Sequence, residues 1–206
     1  MGDQNRNRPK LFCTPLLSGV ERDLAREKLV GLAQSGWPPR RDRGGLRIKI
    51  TRGGRRMLVD RFDRHSVFFG LKNIGGQLVG VWRITRKPCP LAAYRPYTPE
   101  LPPFLQHDSV EATRLLLDPS LWGTGASLVL FRGVFEWCRD AEVKFLFTSA
   151  QIPKPASSFV KLGLEKATVG EFSFGPADPR PSCLLFIAVD RALDILDQVL
   201  PRPLAA

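Results

Sequence analysis

The sequence predicts an α/β (α+β) fold: a mixed, twisted central sheet flanked by helices, in a single domain over 1–206. Three observations carry this. The chain has 206 residues, 43% hydrophobic and 25% charged, an ordinary composition and enough for one sizeable core. Short apolar runs of strand character alternate with segments of helical spacing. Neither an internal repeat nor an apolar run of membrane-spanning length is present.

Taken in order, residues 1–20 begin polar, lack the apolar stretch of a signal peptide, and are expected to be flexible. Residues 20–34 have helical spacing, with Leu24, Leu29, Leu32 and Ala33 as apolar positions, and Gly36-Trp-Pro-Pro39 ends the helix. A basic insertion over 38–56 reads as a loop or hairpin. Residues 66–71 and 78–84 read as strands joined by the turn Asn73-Ile-Gly-Gly76, giving a β-hairpin. Residues 85–109 are proline-rich and aperiodic; a loop this long in a compact domain is usually functional or disordered, and here it is a candidate border of a substrate site. Residues 110–117 read as a central strand. A helix over 127–139 turns Leu128, Leu130, Phe131, Val134, Phe135 and Cys138 inward. Then come a strand (143–149), a short helix (156–162), a strand-like segment (165–174), a strongly apolar strand (183–189) and a last helix (191–200).

The net charge of +11, with a pI near 10.1, favours anionic partners such as an acidic carrier protein or a phosphorylated ligand. The basic insertion has no interleaved aromatics for base stacking, so no specific nucleic acid is expected. Cys13, Cys89, Cys138 and Cys183 are scattered without a Cys-x-x-Cys pair, and only His65 and His107 join them. Neither a metal nor a disulfide framework is expected, and the composition suits a cytoplasmic protein.

The informative residues are charges set among apolar strands: Asp60 and Asp63 in Val59-Asp-Arg-Phe-Asp63, Arg83 closing Gln77-Leu-Val-Gly-Val-Trp-Arg83, and Glu111 and Arg114 in Val110-Glu-Ala-Thr-Arg114. Charges tolerate burial only when paired, so the set predicts one polar cluster suited to a charged ligand. Their order and spacing resemble the LuxI-type acyl-homoserine-lactone synthases, over most of the chain from about Asp60 to Asp190. The resemblance implies a GNAT-like acyltransferase fold. It implies that Arg26, Trp37, Asp60, Asp63, Arg83 and Arg114 shape a pocket for S-adenosylmethionine. Arg26 and Trp37 match the family's N-terminal signature, while Val30 stands where the family carries an aromatic residue.

The reaction so implied is acyl transfer from an acyl carrier protein or coenzyme A thioester to the amine of S-adenosylmethionine, followed by lactone closure. Glu111 is the expected general base and Asp63 the second candidate. S-adenosylmethionine is a substrate, and no cofactor is expected. The turn Asp118-Pro-Ser-Leu-Trp-Gly-Thr-Gly125 resembles a pyrophosphate loop of GNAT acyltransferases, with Trp122, Gly123 and Gly125 offered to the pantetheine arm. Phe104, Trp122, Leu146, Phe147 and the segment 169–174 are the expected walls of an apolar acyl tunnel, and Thr148 stands at a position where some relatives sense substitution on the chain. An N-acyl amino acid synthase, or another GNAT-like N-acyltransferase, is the alternative enzyme. A catalytically silent domain that binds through its basic surface is the alternative of another kind. Convergence of the five charged residues in one cleft with room for a ligand would favour an enzyme, and separate solvent-facing positions would favour the silent domain.

Overall fold

A computed structural model describes residues 10–34, 47–176 and 178–200. The elements are β1 (Leu11–Leu16), α1 (Gly19–Gln34), β2 (Arg47–Ile50), β3 (Arg56–Val59), β4 (Ser66–Asn73), β5 (Leu78–Thr85), β6 (Ser109–Leu117), α2 (Ala126–Asp140), β7 (Phe145–Gln151), α3 (Ala156–Lys161), β8 (Glu165–Phe172), β9 (Ser182–Ala188) and α4 (Val189–Val199). Short 3-10 turns punctuate the connections, at Asp63–His65, Pro90–Tyr94, Pro103–Leu105 and Pro119–Leu121.

Seven strands form one sheet in the order β1-β4-β5-β6-β7-β9-β8, while β2 and β3 make a separate hairpin. All neighbours are antiparallel except β6 and β7, which are joined through α2 as a βαβ unit. That parallel pair is short. Ser109, Val110 and Glu111 pair with Phe145, Leu146 and Phe147, and beyond them β6 and β7 run on unpaired to one another.

Strand alternation divides the side chains into layers. One sheet face carries the main core, where Trp82, Ile84, Val110, Ala112, Leu146 and Leu185 meet α2, α3 and α4. Each buried Val, Leu or Ile side chain there contributes about 1.5–3 kcal/mol relative to exposure. The opposite face holds two smaller cores. Leu16, Phe68 and Val81 pack beneath Ala25 and Leu29 of α1 at one end. Cys89, Leu91, Leu105, Phe147, Ala167 and Leu184 cluster at the other.

Local chemistry explains the element ends. Ser18 and Glu21 form a reciprocal capping box: the Glu21 N–H donates to Ser18 Oγ at 3.1 Å and the Ser18 N–H to Glu21 Oε2 at 3.3 Å. At the far end, Arg132 of α2 donates to Asp197 and to the carbonyls of Leu196 and Leu200, capping α4.

Two expectations about organisation are corrected. The N-terminal stretch expected to be flexible includes edge strand β1 and the start of α1. Leu24 does not face inward: it is 45% exposed, and the buried stripe of α1 is Ala25, Leu29 and Val30. The basic insertion, where described, is the β2–β3 hairpin; its residues 38–46 lie outside the described residues. The four cysteines are free thiols, three of them buried.

Candidate active site

Between the two smaller cores, on the face opposite α2, lies a polar cluster. Its construction depends on an irregularity in β6. Arg83 pairs with Thr113 and Val81 with Leu116, so the one residue between them on β5, Trp82, faces two on β6, Arg114 and Leu115. The extra residue is a β-bulge, and Arg114 within it has φ +59°. The left-handed backbone region is uncommon for an arginine, and the strain it stores is repaid by the contacts it permits. The bulge reverses the alternation. Val110 and Ala112 face the main core before it, and Leu115 and Leu117 do so after it. Glu111, Thr113 and Arg114 thereby share one face.

The Asp60–Asp63 turn is laid over this face by β3. Arg83 Nη1 donates to both oxygens of Asp60, at 2.9 and 2.8 Å, and to Asp63 Oδ1 at 3.1 Å. Its Nε donates to Thr113 Oγ1 at 2.9 Å. Arg114 Nη2 donates to Asp60 Oδ2 at 2.5 Å, and its Nη1 lies 3.5 Å from Asp63 Oδ1. Arg26 reaches in from α1, donating from Nε to Asp63 Oδ2 at 3.1 Å and from Nη1 to Asp23 Oδ1 at 2.8 Å. The Phe62 N–H closes the turn on Asp60 Oδ1. Arg83 is only 2% exposed, so these ion pairs are desolvated and hydrogen-bonded on several sides. Arg114 Nη1 is buried and makes no hydrogen bond within the described residues.

Glu111 stands beside this network at 1% exposure. Its Oε2 accepts the backbone N–H of Leu91 at 2.9 Å. Burial pushes its carboxyl up to about 7, against the Leu91 N–H and the charge of Arg83, with Asp60 adding to the rise. Burial likewise opposes the charge on Asp60, but Arg83 and Arg114 more than offset it and hold Asp60 below the ordinary aspartate range. Asp63 is raised, by burial first and by the neighbouring Asp60 charge, despite its three arginines. Burial also lowers Arg114, to about 10, with Arg83 adding to the effect. The site therefore offers a near-neutral carboxyl and a guanidinium-rich wall, a pairing suited to deprotonating one group while holding an anion.

The Asp60 pairing has a pH consequence. A depressed folded pKa contributes stability above the unfolded value and loses it as pH falls through the folded one. Urea unfolding at stepped acid pH should show a steep acid limb for the wild type and a flatter one for Asp60→Asn. Parallel limbs would show that Asp60 is not held low.

The structure thus brings Arg26, Asp60, Asp63, Arg83, Glu111 and Arg114 together; Trp37 lies outside the described residues. The expected acyl contacts do not form one wall. Leu146 belongs to the main core under α2, and Thr148, buried two residues on, shares its face. Phe147 points the opposite way, into the core beside Leu91, and Phe104 packs on that side against Phe145 and Phe186 with ring centroids 5.4 and 4.9 Å apart. Trp122 is 70% exposed on the turn after β6. Gly123 and Gly125 have φ +77° and +83°, values that favour glycine, and Gly125 caps α2. Two participants were not foreseen. Thr113 was findable, since it lies two residues from Glu111 on the same strand face. Leu91 contributes a main-chain donor, which no side-chain pattern announces.

No protein-family model and no curated protein matches this chain. Solved structures do. The chain is similar to FeeM, an N-acyl amino acid synthase from uncultured soil microbes, at 20% identity over 89% of this chain and 93% of that one, with a TM-score of 0.58. It is similar to the acyl-homoserine-lactone synthase LasI at 15% identity, covering 91% and 94%, TM-score 0.62. It is also similar to the CoA-dependent acyl-homoserine lactone synthase BjaI, solved with S-adenosylmethionine and isopentyl-CoA, at 16% identity, covering 95% and 91%, TM-score 0.66. The fold is the one these acyltransferases share, a GNAT-like single domain.

Proposed function

We propose that this chain is an acyl-homoserine-lactone synthase. The observation that carries the reading is the convergence of Asp60, Asp63, Arg83, Arg114 and Arg26 around a near-neutral Glu111, beside the parting of β6 from β7. A silent binding domain has no use for so costly a buried network.

In this reading Glu111 takes a proton from the amine of S-adenosylmethionine, its affinity near 7 matching that task at neutral pH. The freed amine attacks the acyl thioester carbonyl, the new C–N bond forms, and the C–S bond breaks to release the carrier thiol. Backbone N–H groups along the parted strands supply donors to the oxyanion. The substrate carboxylate is held by the buried, under-partnered Arg114 Nη1. It then attacks its own γ-carbon, breaking the C–S bond of the sulfonium and releasing methylthioadenosine; here the enzyme supplies mainly positioning. The acyl chain is assigned to the helix side of the sheet, where Leu146 and Thr148 face the apolar layer. On the same side of the sheet, among α2, α3 and α4, lies a cleft of about 170 Å³ lined by Leu128, Phe131, Phe135 and Ile195. Trp122, Gly123 and Gly125 border the donor arm, from coenzyme A or an acyl carrier protein.

An N-acyl amino acid synthase is the second reading, favoured by the similarity to FeeM. Purified protein given S-adenosylmethionine, free amino acids and a panel of acyl-CoA and acyl-carrier thioesters decides, with products read by mass spectrometry. Acylated lactones with stoichiometric methylthioadenosine are expected. Acylated amino acids alone would transfer the site to the second reading, and no acylated product with any donor would overturn both.

A further inference from the structure

The long segment between β5 and β6 does more than cross the sheet. Leu91, in its first 3-10 turn, uses both backbone groups in buried hydrogen bonds. Its N–H donates to Glu111 Oε2 at 2.9 Å, and its carbonyl accepts from Thr98 Oγ1 at 3.0 Å. Thr98 is 6% exposed, seven residues further on, where the segment turns back. The Leu91 side chain and Cys89 are packed into the core containing Phe147. Two ring contacts hold the segment down from the other side. Tyr94 meets Phe174 edge-on with centroids 5.1 Å apart, and Tyr97 lies over Gly175, where a Cβ would come within 3.2 Å of its ring.

We propose that Thr98 is a positioning residue for Glu111, acting through the backbone of Leu91. This rests on the reading of Glu111 as the base of the proposed reaction. The hydroxyl fixes the Leu91 carbonyl, and with it the direction of the Leu91 N–H. That N–H donates to the Glu111 carboxylate, and a donor to the charged form favours ionisation. The other titratable groups that act on or face Glu111 are Arg83 from β5, Asp60 from the turn after β3, and the thiol of Cys89 from the same segment. Arg114 lies three residues along its own strand, with Tyr94 beside it. The Thr98 hydroxyl donates to the Leu91 carbonyl, so removing it acts on Glu111 through the Leu91 anchor.

The test is Thr98→Val, which keeps the shape and removes the hydroxyl, with Thr98→Ser as the variant that restores it. The Glu111 carboxyl is titrated directly in substrate-free protein by infrared difference spectroscopy, its band assigned by subtraction of Glu111→Gln. Thr98→Val should move the titration up by about one pH unit, a tenfold gain in proton affinity, because a donor to the carboxylate is loosened. Thr98→Ser should titrate as the wild type. Gly175→Ala provides a second perturbation, since its Cβ presses on Tyr97 and loosens the same segment; it should shift the titration in the same direction. An unmoved titration in the folded variants overturns the proposal. If the titration moves and the kcat pH profile of acyl transfer moves with it at unchanged KM, both the positioning and the base assignment stand. If the titration moves but the kcat profile does not, Thr98 positions a carboxyl that is not the base, and the functional reading of Glu111 falls alone.

Discussion

Glutamine at position 111 should lower acyl transfer by about 10²–10⁴-fold while making the protein more stable above neutral pH. The two effects have one cause. The folded Glu111 carboxyl titrates at about 7, against an ordinary value of 4.5, because it is buried. Below pH 4.5 both the folded and the unfolded chain hold the proton, and the neutral carboxyl is well accommodated. Between 4.5 and 7 the unfolded chain releases it more readily, so stability falls as pH rises through this window. The full loss, reached above pH 7, is about 3 kcal/mol. Glutamine carries no charge and still offers an oxygen to the Leu91 N–H. Melting curves should therefore show Glu111→Gln and wild type nearly level at pH 4.5 and furthest apart at pH 8. A gap that does not change with pH would mean that Glu111 titrates normally. Unimpaired turnover in the variant would remove it from the chemistry.

Arg83→Met should cost about 3–5 kcal/mol of stability, the largest structural loss expected of a single change in the cluster. The guanidinium bonds both aspartates and Thr113 while 2% exposed. A methionine fills much of the same space but leaves buried carboxylates to Arg26 and Arg114 alone. Arg83→Lys should recover only part of the loss, because one ammonium cannot reproduce a planar fork shared among three acceptors. Arg83→Met combined with Asp60→Asn should be less damaging than the sum of the two, as partners in one network are non-additive. Urea unfolding of these four variants, Asp60→Asn included, against the wild type measures each cost. A cost below about 1 kcal/mol for Arg83→Met would place the network in the class of solvated surface pairs.

Much of this was legible in the residues. The β4–β5 hairpin, β6, α2 and β9 follow from apolar periodicity and from the Asn73-Ile-Gly-Gly76 turn. The polar cluster follows from charges placed within strands. What was not legible has identifiable reasons. Edge strand β1, Leu-Phe-Cys-Thr-Pro-Leu, carries a proline and no clean alternation, as an edge permits. Leu24 lies in an apolar-looking helix but on its solvent side. Leu146 and Phe147 are consecutive on a strand and so cannot line one wall; the rule of alternation was available and decides the point against the expected tunnel. The Leu91 and Thr98 contacts depend on where a long aperiodic segment folds back, which no local pattern encodes.

The bulge in β6 makes the cluster a matter of residue count rather than residue type. Deleting the position between Thr113 and Leu115 would restore plain alternation and remove the second side chain that the bulge places next to Thr113 on this face. A shift of one position in an alignment across this strand would likewise exchange core leucines for site residues. The arrangement thus turns on one extra residue in the strand, whose arginine, in a left-handed backbone, is held by the carboxylates of Asp60 and Asp63.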